Sequence, residues 1–357
     1  MDKKSICVIG QLPPPIHGLS VALQTILQND LINENYSLHQ VDIKNNKRFV
    51  TNFREILKMD VDLYYFTISQ SKFGNIRDMI ILNAILMKKK KIIVHYHGGY
   101  YKKMYDQMNV LQKRMNKKLL SRINIMVALS AGLKEIFSDV INSNKIRVCE
   151  NYVEDSSLID EEEFQHKMGT LENKPMVDVL YLSNFIKSKG YFDVLEAAER
   201  LKGKQIFFHF AGAFFNDAEK DEFFQYIETH GLEDHIKYHG LVKGDSKKEL
   251  LKKCEVFVLP TYYPNEGQPI SIIEAMGNGM TIITTKHGGI PDLVKEDNGY
   301  IVEAKSPEAI ANRLEYLLAN KSKLVDIGKN NRLIAMKKYR ETHYIHRIDE
   351  IFKEVLE

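Results

Sequence analysis

Two glutamates, Glu266 and Glu274, lie eight positions apart in the segment Asn-Glu-Gly-Gln-Pro-Ile-Ser-Ile-Ile-Glu-Ala-Met-Gly at 265–277. Gly267 allows the backbone to turn tightly and to bring bare N–H groups close to a ligand. The apolar residues after Pro269 predict a buried helix, and the first amides of a helix favour an oxyanion such as a phosphate. Each carboxylate can also accept hydrogen bonds from hydroxyl groups. The pattern indicates a site for a nucleotide-linked sugar, although two glutamates at this spacing also occur in an ordinary loop and solvated helix.

The residues that follow this segment predict a parallel sheet. Gly279 precedes a strand-like run at 280–285, and the glycine-rich sequence Lys-His-Gly-Gly-Ile-Pro-Asp occupies 286–292. A helix, a strand and a glycine-rich loop in quick succession are typical of parallel sheets whose loops meet a ligand.

At these residues the chain resembles the retaining glycosyltransferases of the family called glycosyl transferases group 1 (family 4), which act in bacterial surface-polysaccharide biosynthesis. The family pattern of two glutamates separated by seven residues reads EGQPISIIEAM here, and the family's G-G-x-P and N-G segments match at 288–291 and 298–299. The resemblance covers essentially the whole chain and is most specific in its C-terminal half. It implies an α/β fold of the GT-B type, with two facing Rossmann-like domains and an interdomain cleft.

The chain of 357 residues suits two domains better than one core. We expect an N-terminal Rossmann-like, acceptor-binding domain at 1–170 and a C-terminal Rossmann-like, nucleotide-sugar-binding domain at 171–339. The acidic, polar segment 154–173 is interpreted as the connection between them. In the resembled fold the last helix, about 340–357, crosses back to the N-terminal domain.

Short β-rich runs alternate with helical stretches, which predicts parallel sheets covered on both faces. In the first half we predict strands at 6–9, 63–67, 91–96 and 123–128, with helices at 19–27 and 78–87. In the second half we predict strands at 177–182, 206–211, 236–239, 256–259 and 281–284.

The loop after the first strand of the second half carries a candidate phosphate clamp. Its sequence at 183–190, Ser-Asn-Phe-Ile-Lys-Ser-Lys-Gly, resembles the family pattern G-R-x-x-x-x-K-G, whose Arg and Lys hold the diphosphate. The match makes Lys189 a catalytic residue, since an ammonium group stabilises the charge that develops on a departing diphosphate. Asn184 replaces the Arg and removes half of the positive charge, and Lys187 could take its place in space.

The resemblance also assigns roles in donor binding. Glu266 would bind the sugar and take part in catalysis, Glu274 would hold the ribose hydroxyls, and backbone groups around Val242 would meet the nucleobase. The residues predicted to contact the donor are Gly18, Asn184, Lys189, Val242, Glu266, Gly267, Gln268, Pro269, Ile270, Ser271 and Glu274.

Two loops of the first half complete the predicted site. Gly18 opens a helix after a proline-rich loop, at a place where the family has a Gly-Gly pair and this chain has His17 and Gly18. The alternative is a plain structural turn. His97 follows a strand and matches a family histidine beside the transferred sugar, so a positioning or charge-stabilising role in catalysis is implied. His95, two residues earlier, is expected to pack inside the protein.

The charge is unevenly distributed along the chain. The net charge is +3, yet residues 1–150 hold 23 Lys/Arg against 12 Asp/Glu, and residues 151–357 hold 27 against 35. Basic residues concentrate at 88–91 and on a predicted helix at 101–118, where they alternate with apolar side chains. Such a helix can lie on an anionic membrane surface, although an ordinary solvated face is the alternative. No aromatic–basic motif of a nucleic-acid-binding protein accompanies the charge.

Neither a metal nor another cofactor is expected. Asp60-Val61-Asp62 has the D-x-D form of a metal site, but it precedes a buried strand and no further ligands accompany it. The cysteines, Cys7, Cys149 and Cys254, lack paired or metal-like spacing and fit a reducing cytosol. The N-terminal apolar run is too short for a signal peptide and predicts a first strand. We therefore expect a cytoplasmic protein that could also be peripheral on the inner face of the cell membrane.

Together these patterns predict transfer of a hexose-type sugar from a UDP- or GDP-linked donor. The acceptor would be a saccharide or a polyprenyl-diphosphate-linked saccharide, used in the synthesis of capsule, O-antigen or exopolysaccharide. Because no side chain is an obvious nucleophile, the resemblance favours front-face attack with retention of configuration. Two alternatives remain: a UDP-sugar epimerase of GT-B shape, and a non-catalytic sugar-nucleotide-binding protein, which the missing Arg at Asn184 suggests.

Overall fold

The structure is a computed structural model that describes residues 3–14 and 18–357, and the chain divides into two compact units. The first unit comprises Met1–Asn151 and Thr342–Glu357, and the second comprises Tyr152–Glu341. Each unit has its own hydrophobic core.

The first unit alternates strands and helices. Up to residue 148 its elements are β1 (Lys4–Gly10), α1 (Gly18–Gln28), α2 (Asp30–Asn35), β2 (Tyr36–Asp42), α3 (Phe49–Lys58), β3 (Leu63–Thr67), α4 (Lys72–Met87), β4 (Lys91–His95), α5 (Tyr101–Asp106), α6 (Val110–Leu120), β5 (Ile125–Ala128) and β6 (Ile146–Val148). Short 3-10 helices occupy Asn46–Arg48, Gly132–Phe137 and Ser143–Lys145.

The second unit has the same alternation. Its elements are α7 (Glu161–Thr170), β7 (Val177–Leu182), α8 (Tyr191–Arg200), β8 (Ile206–Ala211), α9 (Asp217–His230), β9 (Ile236–Tyr238), α10 (Gly244–Lys253), β10 (Val256–Leu259), α11 (Ile270–Gly277), β11 (Thr281–Thr285), α12 (Ile290–Leu293), β12 (Gly299–Val302), α13 (Pro307–Ala319) and α14 (Lys321–Lys338). Its 3-10 helices are Asp155–Ser157, Leu171–Asn173 and Lys187–Lys189, and α15 (Glu341–Leu356) ends the chain.

Both units contain a six-stranded sheet in which every pair of neighbouring strands is parallel. The strand orders are β2-β1-β3-β4-β5-β6 and β12-β11-β10-β7-β8-β9. In the second sheet the strand order reverses between β7 and β10. Loops that leave the carboxyl ends of strands at such a switch point form a crevice in which ligands bind.

The central strands are buried along their whole length. β3, Leu-Tyr-Tyr-Phe-Thr, and β10, Val-Phe-Val-Leu, have no exposed position. Near-continuous apolar strands of this kind are expected where helices cover both faces of a parallel sheet. This burial explains why these two strands were predicted with correct bounds, whereas the more polar β2 and the short β6 and β12 were not predicted.

The predicted domain boundary after residue 170 differs from the observed division, because the segment interpreted as a connection folds as part of the second unit. Asp160 begins α7 with a capping box in which it accepts from the Glu163 amide and Glu163 accepts from the Asp160 amide. Phe164 and Met168, four residues apart, enter the core of the second unit. Burial lowers the pKa of Lys167 to about 8, and its Nζ donates to carbonyl oxygens at the ends of α10 and α11.

Two helices of the first unit differ from the sequence prediction. The basic helix expected across 101–118 is interrupted, because α5 ends at Asp106 and Asn109 caps a new helix, α6, by accepting from the Gln112 amide. Helix α4 begins six residues before the predicted Asp78, and Ser71 caps it by accepting from the Gly74 amide.

The last helix, α15, belongs to the first unit from Thr342 onward. Phe352 is fully buried there and makes edge-on ring contacts with Tyr36 and Tyr65, at centroid distances of 5.6 and 5.5 Å. The Tyr36 hydroxyl donates to Asp349 over 2.9 Å. A helix from the far end of the chain therefore contributes to the core that the first 151 residues build.

Candidate active site

The loops after β7 and β10 meet at the switch point of the second sheet, since these two strands are neighbours. Lys189 lies in the first loop and Glu266 in the second, and their side chains form an ion pair of 2.7 Å between Nζ and Oε2. The same Oε2 accepts from the Thr261 hydroxyl over 3.0 Å. The ammonium group also lies 4.8 Å from the ring centroid of Tyr263. The structure thus brings together the two residues that were predicted to be catalytic in this unit.

A second layer of backbone contacts holds the Glu266 loop in place. The Gly289 amide donates to the Gly267 carbonyl over 2.6 Å, and a ring nitrogen of His287 lies 2.7 Å from the Tyr263 carbonyl oxygen. Gly288 has a φ of +54°, and a Cβ there would collide with the Glu266 carbonyl. The glycine-rich loop at 286–292 therefore packs directly behind the Glu266 loop and requires glycine to do so.

The Lys189 loop is shaped by a glycine in the same way. Gly190 has a φ of +79°, and a Cβ there would lie 2.6 Å from the Pro260 carbonyl oxygen. The Tyr262 amide donates to the Ser188 carbonyl over 2.8 Å, which joins the two loops next to the ion pair. Any larger residue at Gly190 would separate these loops and with them Lys189 from Glu266.

Helix α11 begins directly after the Glu266 loop. Pro269 occupies its N-cap position without a side-chain cap hydrogen bond, and the first turn contains no acidic residue. The first backbone N–H groups of a helix lack intrahelical partners and carry the positive end of the helix dipole. Gly267, Gln268 and Pro269 are buried, whereas Ile270 and Ser271 are half-buried at the start of the helix. The arrangement can accept an oxyanion through main-chain donors.

Glu274 lies on the second turn of α11, and its buried carboxylate pairs with Lys247 of α10 over 2.6 Å between Nζ and Oε1. The sequence reasoning missed Lys247. Lys247 precedes Glu274 by 27 positions, and no pattern in the sequence links the two residues. The site therefore contains two buried carboxylate–lysine pairs, one in the loops and one between helices.

Asn184 and Lys187 lie in the same loop as Lys189 but do not join its ion pair. The side chain of Asn184 is exposed, and its carbonyl accepts from the Tyr181 hydroxyl over 3.2 Å. Lys187 pairs with Glu222 of α9 over 2.8 Å. The suggestion that Lys187 replaces the missing Arg is therefore not supported by its position.

Val242 is half-buried in the loop after β9 and packs against the core of the second unit. The base of this loop is held by a buried chain of polar groups: a His209 ring nitrogen lies 2.7 Å from Asp178, and the other lies 2.9 Å from a His239 ring nitrogen. Burial and the neighbouring His209 lower the pKa of His239 to about 4. His239 is therefore neutral at physiological pH.

In the first unit, Gly18 is exposed at the start of α1, while Pro15, Ile16 and His17 lie outside the described residues. His97 follows β4 and is half-buried; its ring centroid is 3.9 Å from that of His95, and its carbonyl accepts from the Gln70 amide group over 2.7 Å. His95 is fully buried against the Tyr65 hydroxyl, as predicted, and burial lowers its pKa.

The Asp60-Val61-Asp62 tripeptide does not form a carboxylate cluster. Asp60 pairs with Lys90 over 2.5 Å, and Asp62 accepts from the Ser5 amide and hydroxyl. Across residues 3–14 and 18–357, no group of three or more His, Cys, Asp or Glu side chains is placed to hold a metal ion.

The fold is that of the GT-B class. The crystal structure of Anabaena HepE in complex with UDP superposes with a TM-score of 0.78, at 17% identity, over 98% of this chain and 100% of that chain. The apo form of the lipopolysaccharide outer core galactosyltransferase WaaB superposes with a TM-score of 0.68 at 17% identity, over 98% and 99% of the two chains. At such identities the likeness establishes the fold alone.

Residues 160–334 match the sequence model of the family "Glycosyl transferases group 1". The matched segment contains EGQPISIIEAM, so the resemblance to this family is confirmed for that part of the chain. It is 25% identical over 174 residues to the amylovoran biosynthesis glycosyltransferase AmsK of Erwinia amylovora, which covers 47% of this chain and 42% of AmsK. It is 23% identical over 198 residues to the lipopolysaccharide core biosynthesis glycosyltransferase LpsE of Rhizobium meliloti, covering 55% and 54%. These matches span about half of each relative.

Proposed function

We propose that this protein transfers a hexose-type sugar from a UDP- or GDP-linked donor to a saccharide or lipid-linked saccharide acceptor, with retention of configuration and without a metal ion. It would act in surface-polysaccharide synthesis, at the cytoplasmic side of the cell membrane. The observation that carries the proposal is the Lys189–Glu266 pair at the switch point, next to a helix that begins without a side-chain cap. The family match of residues 160–334 and the names of AmsK and LpsE support the acceptor class.

The donor diphosphate would bind between Lys189 and the first turn of α11. Lys189 would exchange its contact with Glu266 for the phosphate oxygens, and the charge that grows on the departing diphosphate would strengthen that contact in the transition state. The N–H groups of Gly267, Gln268, Ile270 and Ser271 would bind the same anion, whereas Pro269 has no N–H group to donate.

Glu266 is proposed to bind hydroxyl groups of the transferred sugar rather than to attack it. Its Oε2 accepts a hydrogen bond from the Thr261 hydroxyl, which remains when Lys189 turns to the diphosphate, and such a bond stabilises a carboxylate and reduces its reactivity as a nucleophile. Front-face attack is then the retaining route, in which the departing phosphate oxygen accepts the acceptor's proton. Mass spectrometric detection of a glycosyl group on Glu266 would contradict this mechanism.

Glu274 is proposed to accept from the ribose hydroxyls, with Lys247 fixing the position of its carboxylate through the ion pair. The backbone at Val242 would meet the base. In the first unit, the loops that carry Gly18 and His97 are proposed to bind the acceptor and the transferred sugar, as the family resemblance implies.

The first experiment is a thermal-shift comparison of UDP, GDP and ADP with their sugar conjugates. A ligand at 100 times its dissociation constant stabilises the folded protein by about 2.7 kcal/mol. Stabilisation by one base would identify the donor class. A lack of stabilisation by every nucleotide, with the protein folded by circular dichroism, would overturn the proposal.

A non-catalytic sugar-nucleotide-binding protein is the second candidate, because Asn184 is exposed and Lys187 is paired with Glu222. Such a protein would be stabilised by the nucleotide sugar but would release no nucleotide in the presence of any acceptor. Slow release of nucleotide that becomes faster in Asn184→Arg would instead favour an enzyme whose phosphate clamp is incomplete. An epimerase would instead convert the free UDP-sugar without an acceptor.

A further inference from the structure

Helices α4 and α6 of the first unit bury polar side chains and expose apolar ones. Their fully or nearly buried residues include Asn75, Gln112 and Asn116, whereas their exposed residues include Phe73, Val110 and Leu111. Soluble proteins normally place these residue types the other way round. An exposed apolar surface on a protein indicates a site of interaction.

The buried amides join the two helices through hydrogen bonds. Asn75 and Asn116 donate to each other over 2.9 and 2.8 Å, and Gln112 donates to the Asn75 side chain and to the Lys72 carbonyl. The Tyr101 hydroxyl adds a bond of 3.0 Å to Asn116. Satisfied buried networks of this kind hold elements in one arrangement. The helix pair therefore presents its outer face as a rigid surface.

The apolar side chains of α4 follow one side of the helix. Phe73, Ile76, Ile80 and Met87 occupy positions i, i+3, i+7 and i+14, and they are 87%, 42%, 42% and 74% exposed. This spacing places all four on one stripe of an α-helix. Because the Gln112 side chain contacts the Lys72 carbonyl, the exposed residues at 110–111 lie next to the Phe73 end of that stripe.

The charge on this surface has one sign. The outward side chains of α6 after Leu111 are Arg114, Lys117 and Lys118, and α6 contains no acidic residue. The only carboxylate of α4, Asp78, is fully buried and bonded to Arg77.

An open groove of about 550 Å³ follows the basic side of α6, and its lining residues include Arg114, Lys117, Lys118, Ser121 and Ser138. Asp139 also lines this groove, but its carboxylate is paired with Lys102 over 2.8 Å. The surface therefore combines apolar side chains with unopposed cations.

The apolar end of the surface adjoins the His97 loop. The Gln70 side chain donates to the His97 carbonyl, and Ser71, the next residue, caps α4 two positions before Phe73. A molecule that holds Phe73 would thus lie beside the loop for which an acceptor-binding role is proposed above.

We propose that the outer face of α4 and α6 docks on an anionic phospholipid membrane, with Phe73, Val110 and Leu111 entering the apolar layer and the α6 cations binding lipid phosphates. Docking by this face would bring the proposed transferase to a lipid-linked acceptor, and to that extent the inference rests on the proposed function. Apolar side chains beside Lys and Arg are the composition of segments that lie on anionic bilayers. A second copy of the chain fits less well, because a symmetric contact would place the Arg114, Lys117 and Lys118 groups of both copies together.

The test is sedimentation of the full chain with vesicles of phosphatidylcholine alone or of phosphatidylcholine mixed with the anionic lipid phosphatidylglycerol. We expect binding to the anionic vesicles only, weakened several-fold by raising salt from about 0.05 to 0.3 M because salt screens surface charge. The variant Phe73→Ser/Leu111→Ser should lose at least tenfold in affinity. The variant Arg114→Gln/Lys117→Gln/Lys118→Gln should bind anionic vesicles no better than neutral ones.

Matched controls come from α14, which has an exposed leucine and exposed lysines. Leu333→Ser and Lys323→Gln/Lys329→Gln/Lys337→Gln remove equivalent groups from the second unit and should bind vesicles like the wild type. Failure of the wild type to bind anionic vesicles, or wild-type binding by both surface variants, would overturn the proposal. Dimerisation in solution that is abolished by Phe73→Ser/Leu111→Ser, without vesicle binding, would assign the surface to a second copy instead.

Nucleotide-induced stabilisation separates this proposal from the proposed function. The surface variants should keep the wild-type thermal shift with UDP- or GDP-sugars, which also shows that they are folded. Vesicle binding without any nucleotide response would leave the docking surface intact and remove the transferase proposal.

Discussion

At the level of residues, Lys189 and Glu266 already form an ion pair with each other, and both side chains are proposed to bind the donor. The ammonium is held by the Glu266 carboxylate, so the proposed diphosphate would have to compete for it, while Glu266 would keep the Thr261 hydroxyl as a donor. Removing the lysine leaves a buried carboxylate without its counter-charge, which typically costs about 3–5 kcal/mol. Loss of activity therefore has to be separated from loss of stability.

Lys189→Ala should lower kcat/KM for sugar transfer by at least about 100-fold, because removal of one group that stabilises transition-state charge has an effect of that size. Lys187→Ala is the matched control, since Lys187 lies two positions away and pairs with Glu222 instead. It should change kcat/KM by less than about threefold, within the range of surface substitutions. Equal rates in Lys189→Ala and the wild type at a temperature where both are folded would remove Lys189 from the mechanism.

Glu266→Gln and Glu274→Gln should weaken the binding of different parts of the donor, the sugar and the ribose respectively. Glu274→Gln should weaken binding of both the free nucleotide and the nucleotide sugar, since the ribose is common to them. Glu266→Gln should weaken binding of the nucleotide sugar relative to the free nucleotide, whose diphosphate meets less competition for Lys189 in this variant. Calorimetric titration of each variant with UDP and UDP-sugar, or with the guanosine pair, measures this difference. The opposite pattern would exchange the two roles.

Asp193 on α8 should make stability depend on pH. Burial, with a smaller effect of Glu196, raises its pKa from 3.8 to about 6. The folded protein then binds this proton more tightly than the unfolded chain, so the stabilisation is complete below about pH 4 and is lost as pH rises through about 6. Asp193→Asn should therefore gain in melting temperature relative to wild type between pH 5 and pH 8. Asp326→Asn, at an exposed position of α14, should show no such gain.

The sequence could predict those parts of the site that follow one another along the chain. Glu266, the start of α11 and Glu274 belong to one continuous segment, and Lys189 was singled out by the resemblance of 183–190 to the family pattern G-R-x-x-x-x-K-G. Lys247 and Thr261 could not be identified, because only the packing of α10 on α11 and the fold of the β10 loop bring them to the two glutamates.

At the level of elements, the fully buried strands were predictable and the edges of the sheets were not. β2 is an edge strand with four polar residues among its seven, so its pattern is that of a loop. Helix α7 was missed for another reason. Its acidic residues at 161–163 were interpreted as a solvated connection, although they follow an Asp160 cap and occupy a first turn, where the helix dipole favours negative charge.

Phe164→Ala in α7 should lower the free energy of unfolding of the second unit by about 3–5 kcal/mol, as truncation of a buried aromatic side chain does. Phe164 is buried in the core, and the Arg332 guanidinium lies 5.2 Å from its ring centroid. Phe215→Ala, at an exposed position, should change stability by no more than about 0.5 kcal/mol. Urea denaturation of the two variants gives the comparison, and equal midpoints would show that α7 is only a connection.

At the level of the whole molecule, the two-unit architecture and its GT-B class were predicted, whereas the boundary was not. The division lies at Asn151 rather than after residue 170, because α7 packs on α10 and α14 and enters the core of the second unit. Hydrophobic patterning reports which segments are buried but not which of two cores receives them. The place of α15 in the first unit could be inferred only from the family resemblance.

Phe352→Ala in α15 should destabilise the first unit selectively, by about 3–5 kcal/mol. The ring is fully buried against Tyr36 and Tyr65, whereas the strands β7 to β12 belong to the other unit. Hydrogen exchange should show faster exchange in β1 to β6 and unchanged exchange in β7 to β12. Uniform acceleration in both sheets would contradict the assignment of α15 to the first unit.

The return of α15 to the first unit has a consequence for biosynthesis. The ribosome must synthesise residues 152–341 between the two segments that make up that unit. At about 5–20 residues per second, this interval lasts on the order of 10–40 seconds. During that time the surfaces of Tyr36 and Tyr65 that Phe352 will cover have no helix against them. The second unit, which is continuous in sequence, can reach its native contacts first, so the N-terminal part of this chain should be the last to complete its fold.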